Sequence, residues 1–123
     1  MSTRKLSAGV AAAVMVGALL MATMAFAGAD TDVTIKGRNG DYHGKVLSER
    51  AKCQYNRKVV VFKQKGKKPD PSTDKKIGKD TSEKQGNVGV WDIGNSGFKH
   101  GKFYAVARHS RGCNAATSDT IKR

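Results

Sequence analysis

Acidic residues are scarce in this chain, and helical periodicity is almost absent. There are two cysteines, two prolines and one tryptophan among 123 residues. Each shortage excludes something. The ten acidic residues include Asp30, Asp32, Asp41 and Asp92, none of them in a paired-carboxylate motif. No apolar set recurs at a period of 3.6 over a dozen residues, so helical bundles are excluded, and so is the amphipathic helix of a membrane-surface binder. The cysteines have no CxxC spacing, and His109, four residues before Cys113, makes no ligand set with it. Ser48, Ser96 and Ser110 lack a nucleophile-elbow context. Gly66-Lys67-Lys68 lacks the surrounding glycines of a phosphate loop or dinucleotide fingerprint. No segment after residue 27 is apolar enough to cross a membrane.

One long apolar run is present, and it comes first. Arg4 and Lys5 precede an uncharged stretch, Leu6–Phe26, rich in Ala, Val, Leu, Met and Gly, and Ala25-Phe26-Ala27 supplies a small-x-small exit. This is the pattern of a secretory signal peptide spanning residues 1–27. The rival reading is a retained membrane anchor, since the run approaches spanning length. Residues 28–123 are then a single small domain, expected to be secreted, extracellular or held at the cell envelope.

Arg4 and Lys5 are the only two of the 23 basic residues before residue 28, and all ten acidic residues lie beyond it, so the net charge of +13 falls only to +11. In an oxidising compartment Cys53 and Cys113 are expected to pair, with free thiols or an intermolecular link as the rivals. The closed loop of roughly 60 residues gives a stabilisation of about 4 kcal/mol on the loop-entropy argument.

Short β-branched and aromatic runs, parted by Gly, Asp, Asn, Ser and Pro, mark strands. Thr31–Gly37 places Val33 and Ile35 on one face. Asn39-Gly40-Asp41 is a turn, and Tyr42–Ser48 alternates after it, with His43, Lys45 and Leu47 opposite Gly44 and Val46. Lys58–Gln64 is the strongest strand, with Val59 and Val61 toward a core and Val60 and Phe62 toward a second layer or a partly covered outer surface. Lys65–Lys75 is a polar loop holding both prolines. Lys76–Thr81 is a short edge strand around Ile77, and Glu83–Gly86 a turn. Asn87–Ile93 sets Val88, Val90 and Asp92 against Gly89, Trp91 and Ile93. Lys102–His109 sets Phe103, Ala105 and Ala107 against Tyr104 and Val106, and Thr117–Lys122 closes the domain around Ile121. Six or seven such strands predict an all-β fold, a small antiparallel sandwich, with a five-stranded oligonucleotide-binding barrel as the competitor.

Three stretches carry a family likeness. Tyr42–Ser48 resembles an opening "G-x-V" strand. Thr81–Val88 resembles a "T-x-x-x-G-x-F" turn, with one extra residue before Gly86 and Val88 in the aromatic place. Gly101–Val106 resembles a "G-x-Y-x-A/V" strand, with Phe103 in the tyrosine place. Together they resemble the transthyretin-like sandwich of carboxypeptidase regulatory domains and collagen-adhesin B-type repeats, so that the sandwich is expected to be transthyretin-like or immunoglobulin-like. The chain also resembles a kind of small exported actinobacterial protein in which a cysteine follows the second strand and Gly-Cys, here Gly112-Cys113, the penultimate one. The likeness implies a structural or adhesive role and brings no catalytic residues. Adhesin repeats often carry a Lys–Asn isopeptide bond aided by a buried acid. Asp92 is the one acid on an alternating strand to be considered for that role here.

His43, His100 and His109 are not spaced as a metal pair, and neither a metal nor a cofactor is expected. The basic residues form the main candidate site: Lys63, Lys65, Lys67, Lys68, Lys75, Lys76 and Lys79 crowd one hairpin region, and Arg108 and Arg111 add charge near the C-terminal strands. Such a field attracts polyanions. The alternative is plain solvation and protection of sheet edges by lysine. Phe62 beside Lys63, and Tyr104 on the face of Lys102, are candidates for a base-stacking platform, while Trp91 is expected in the core. The function expected is a non-enzymatic exported structural or binding module, with a cationic polyanion binder as the alternative. Anionic polymers or a cell-surface protein are the expected partners.

Overall fold

The computed structural model describes residues 28–123, so the proposed signal segment lies outside the described residues. The domain is all-β, with ten short strands: β1 (Asp32–Val33), β2 (Lys36–Arg38), β3 (Asp41–Leu47), β4 (Lys58–Gln64), β5 (Lys75–Thr81), β6 (Glu83–Gln85), β7 (Val88–Asn95), β8 (Lys102–Ala107), β9 (Ala116–Thr117) and β10 (Ile121–Lys122). The first sheet runs β1-β3-β7-β6, with β2 also on β3. The second runs β10-β8-β4-β5, with β9 also on β8, and every pairing between these strands is antiparallel.

Alternation decides what faces inward. Val33, Ile35, Tyr42, Val46 and Trp91 from the first sheet meet Val59, Val61, Phe103, Ala105 and Ala107 from the second in one buried cluster. Tyr42 packs on Phe103 with ring centroids 4.7 Å apart, and its hydroxyl donates to the Phe98 carbonyl at 2.9 Å, which seats Phe98 at the rim of the core. Asn39 (φ 55°) and Gly40 (φ 88°) form the two-residue hairpin between β2 and β3. Both need positive φ, as the I′ turn that matches strand twist requires.

Several expectations shift in detail. The strand count is ten, because the outer pieces are short: Thr31–Gly37 breaks into β1 and β2, and the C-terminal strand into β9 and β10. Glu83–Gln85 is a strand paired with Gln85 opposite Val88, not a turn, and the turn is confined to Gly86-Asn87. A single 3-10 turn, Ala51–Cys53, interrupts the link before β4.

Cys53 and Cys113 form the disulfide, with Cα atoms 5.5 Å apart. Beside it lies Arg57, fully buried. Its Nη1 donates to Thr31 Oγ1 and to the Cys53 carbonyl, both at 2.9 Å. Nε and Nη2 donate to the Arg108 carbonyl at 3.2 and 2.7 Å, and Nη2 also reaches the Asn114 carbonyl at 2.8 Å. Five N–H donors are the full capacity of a guanidinium, so this cation is satisfied by carbonyl and hydroxyl oxygens rather than by a carboxylate. Burial draws its pKa below the ordinary value, although arginine stays charged in proteins. Next to it the chain passes from β5 to β6, between sheets, through buried Ser82. Ser82 exchanges main-chain hydrogen bonds with Asn56 and Arg57, and its hydroxyl donates to the Gln54 carbonyl at 2.7 Å.

Candidate polyanion-binding face

The outer face of the second sheet carries a small apolar cluster: Val60, Phe62 and Tyr104, with Val106 against them. Phe62 and Tyr104 stack with centroids 5.3 Å apart. They are 2% and 0% exposed. The expectation of a base-stacking platform here is therefore corrected: both rings are spent on burial, as the aromatics of a small domain commonly are. Asp74 anchors the 65–74 loop beside them. Its Oδ2 accepts the Tyr104 hydroxyl at 2.6 Å and the Asp70 N–H at 2.7 Å, and its Oδ1 accepts the Lys65 N–H at 2.9 Å. Burial alone raises the Asp74 carboxyl, but the Tyr104 hydroxyl and the two backbone N–H groups outweigh it and hold the carboxyl below its usual range. Burial and the neighbouring carboxylate push the Tyr104 hydroxyl well up.

Beyond the loop the same face stays open. A depression of about 410 Å³ is lined by Val60 and Gly78 and by four cations, Lys58, Lys76, Lys79 and Arg108, with no acidic residue in its lining. Backbone geometry puts them there. Val60 pairs with Lys79 and Phe62 with Lys76, while Val61 pairs with Gly78, and the register slips between Val61 and Phe62. Lysines three apart on a regular strand point to opposite faces. The bulge absorbs one residue, turns Ile77 toward the core cluster and brings Lys76 onto the face of Lys79. Lys58 starts β4 on that face. Arg108 is held beside it, since its N–H donates to the Lys58 carbonyl at 2.9 Å and its own carbonyl accepts the Arg57 guanidinium. The buried arginine thus fixes the backbone of an exposed one.

The structure divides the candidate cations. It brings together Lys76, Lys79 and Arg108 and adds Lys58, which sequence inspection missed. It separates Lys63 and Lys75, whose ammonium groups lie 5.8 and 4.9 Å from the Phe98 ring centroid. Lys65, Lys67 and Lys68 are exposed on the loop, which Lys102 braces by donating to the Gly66 carbonyl at 2.6 Å. Arg111 lies in the disulfide loop, where Arg50 and Lys52 gather around Gly112. Asp92, the acid considered for an isopeptide, is exposed, and the acid that burial encloses is Asp74.

Among the described residues no group of three or more His, Cys, Asp or Glu side chains is placed to hold a metal ion, and no helix is long and apolar enough to cross a membrane. Comparison with protein-family models, curated proteins and solved structures gives no match to this chain. What is shown is a generic two-sheet antiparallel sandwich with one disulfide, and the site stands on its own geometry.

Proposed function

We propose that this protein is a non-enzymatic exported binding module that holds a linear polyanion against the open half of its second sheet. The transthyretin-like likeness belongs to the same proposal, as an architecture suited to presenting faces. The observation that carries the reading is the convergence of Lys58, Lys76, Lys79 and Arg108 on one depression with no acidic residue in its lining. Plain solvation needs no such convergence, whereas here a bulge and a buried arginine are used to aim two of the four. The net charge of +11 on residues 28–123 adds a long-range attraction.

Attraction of this kind scales with salt. For a single-stranded oligothymidylate, neutralising four phosphates gives a log–log salt slope of about −3, at about 0.7 per contact. Fluorescence anisotropy over a salt series measures it. Lys58→Gln and Lys79→Gln should each lower the slope by about 0.7, while Lys67→Gln, on the loop, should leave most of it. Polyglutamate, a carboxylate polymer, and vesicles of anionic phospholipid serve as competitors that distinguish the ligand's source. Binding that ignores salt, or that weakens equally with every lysine removed, defeats the assignment to this depression.

A further inference from the structure

The outer face of the first sheet, across the sandwich from the basic depression, carries a trough of about 660 Å³. Strand order sorts the charges that line it. Lys36 on β2, with His43 and Lys45 on β3, line one half. Asp92 on β7, Glu83 on β6 and Asp80 at the end of β5 line the other. Since β2 lies outside β3 and β6 lies outside β7, the charges lining the trough change sign once, at the β3–β7 boundary, while Asp32 on β1 and Asp41 at the start of β3 lie outside that lining. Half-buried Leu47 and Val90 give the trough its apolar side chains.

A pattern that only stabilised the sheet would set opposite charges on directly paired residues. Asp92 is paired directly with His43, not with a lysine or arginine. Lys45 and Glu83 are not paired directly, because each pairs with Val90 from opposite sides. Their backbones are therefore two strand spacings apart, about 10 Å, with an apolar side chain between them. The acidic wall is fixed: Asp80 Oδ2 accepts the Asp92 N–H at 2.7 Å, and Asp92 Oδ1 accepts the Gly94 N–H at 2.6 Å.

We infer that this trough binds a short peptide with free termini, lying across the strands. Its carboxylate faces Lys36, His43 and Lys45, its ammonium faces Asp80, Glu83 and Asp92, and a central apolar side chain rests on Leu47 and Val90. An extended tripeptide spans about 10 Å, the separation of Lys45 from Glu83. A polyanion meets repulsion over the acidic half and a polycation over the basic half, so both signs in one small molecule suit the trough best. The inference does not depend on the polyanion reading.

The test titrates the protein with the tripeptide Ala-Leu-Ala, free at both ends, and with its N-acetylated and C-amidated forms. Amide NMR follows binding, together with the fluorescence of Trp91, the single tryptophan, which borders the trough. The free peptide should give saturable shifts at Lys45, Glu83 and Val90. Losing one charge-assisted contact should weaken binding about tenfold or more, whether by capping either terminus or by Lys45→Gln or Glu83→Gln. Both substitutions are at exposed positions, and circular dichroism checks that the fold persists. Lys122→Gln, at an exposed position on β10 of the other sheet, should change nothing. Equal affinity for free and capped forms overturns the inference, as does the absence of saturable shifts at millimolar peptide. Shifts of the trough residues on raising protein concentration alone also overturn it, by assigning the face to a second copy of the chain.

Discussion

The outer face of the second sheet is closed at one end and open at the other, and each end is organised by a single buried charge. At the closed end Asp74 draws the 65–74 loop onto Phe62 and Tyr104. At the open end Arg57 holds the backbone of Arg108, which lines the basic depression. Neither charge is balanced by an opposite one in its hydrogen bonds. The carboxylate takes N–H and O–H donors, and the guanidinium takes carbonyl and hydroxyl acceptors, so each is compensated by dipoles. The two differ in reach. Two of the three Asp74 partners lie within nine residues of it. Arg57 ties Thr31, Cys53, Arg108 and Asn114, segments from both ends of the described chain. One charge therefore organises a loop and the other the fold.

Removing Arg57 should have the largest effect. Arg57→Leu leaves the buried Cys53 carbonyl and the part-buried Arg108 and Asn114 carbonyls without these donors, each costing about 1–3 kcal/mol, so a loss of about 3 kcal/mol is expected in urea melts. Arg57→Lys should recover only a fraction, since three donors on a point charge replace five in a planar fork. A leucine variant that melted with the parent would break the distinction between global and local charge.

The disulfide belongs to the same end. Cys53 and Cys113 are 0% and 1% exposed, and the Cys53 carbonyl is itself an Arg57 acceptor. Replacing both cysteines by alanine should cost about 2–4 kcal/mol. Because the bridge and the guanidinium share Cys53, the triple variant should depart from additivity by about 0.5–3 kcal/mol. Simple addition would show that bridge and arginine act independently. Intact mass before and after reduction checks the bridge itself.

Much of the fold is written in the sequence as alternation, and much of the site is not. Val59 and Val61 against Val60 and Phe62, or Phe103, Ala105 and Ala107 against Tyr104 and Val106, announce two faces because side chains on a strand alternate. Asn39-Gly40 announces its hairpin because few residues tolerate positive φ. Glu83–Gln85 announces nothing: an edge strand is held by backbone hydrogen bonds, and its exposed side chains look like those of a turn. The bulge at Ile77 is invisible for a related reason, since register is a property of two strands. Lys76 and Lys79 therefore read as a charge run when they are neighbours on one face. Arg57 is inconspicuous in the sequence because arginine is ordinarily a surface residue, and its acceptors are three main-chain carbonyls and one distant threonine hydroxyl that no motif records.

The smallest expected effect sharpens the comparison from the closed end. The Asp74 carboxyl is held below its unfolded pKa of about 3.9. Its contribution is complete above that unfolded value and is lost as pH falls through the folded one. Acid should therefore loosen the 65–74 loop first, with faster amide exchange there and exposure of Phe62 and Tyr104 to an apolar dye. Asp74→Asn should lower stability by about 1–3 kcal/mol at neutral pH and flatten the acid limb relative to the parent. The open end should be indifferent: in Asp74→Asn the salt slope for oligothymidylate should be unchanged, because Lys58, Lys76, Lys79 and Arg108 are positioned by Arg57 and by strand pairing. A slope that fell with loss of the carboxylate would show that the loop helps to aim the cations, and the two halves of the face would then be one cooperative unit.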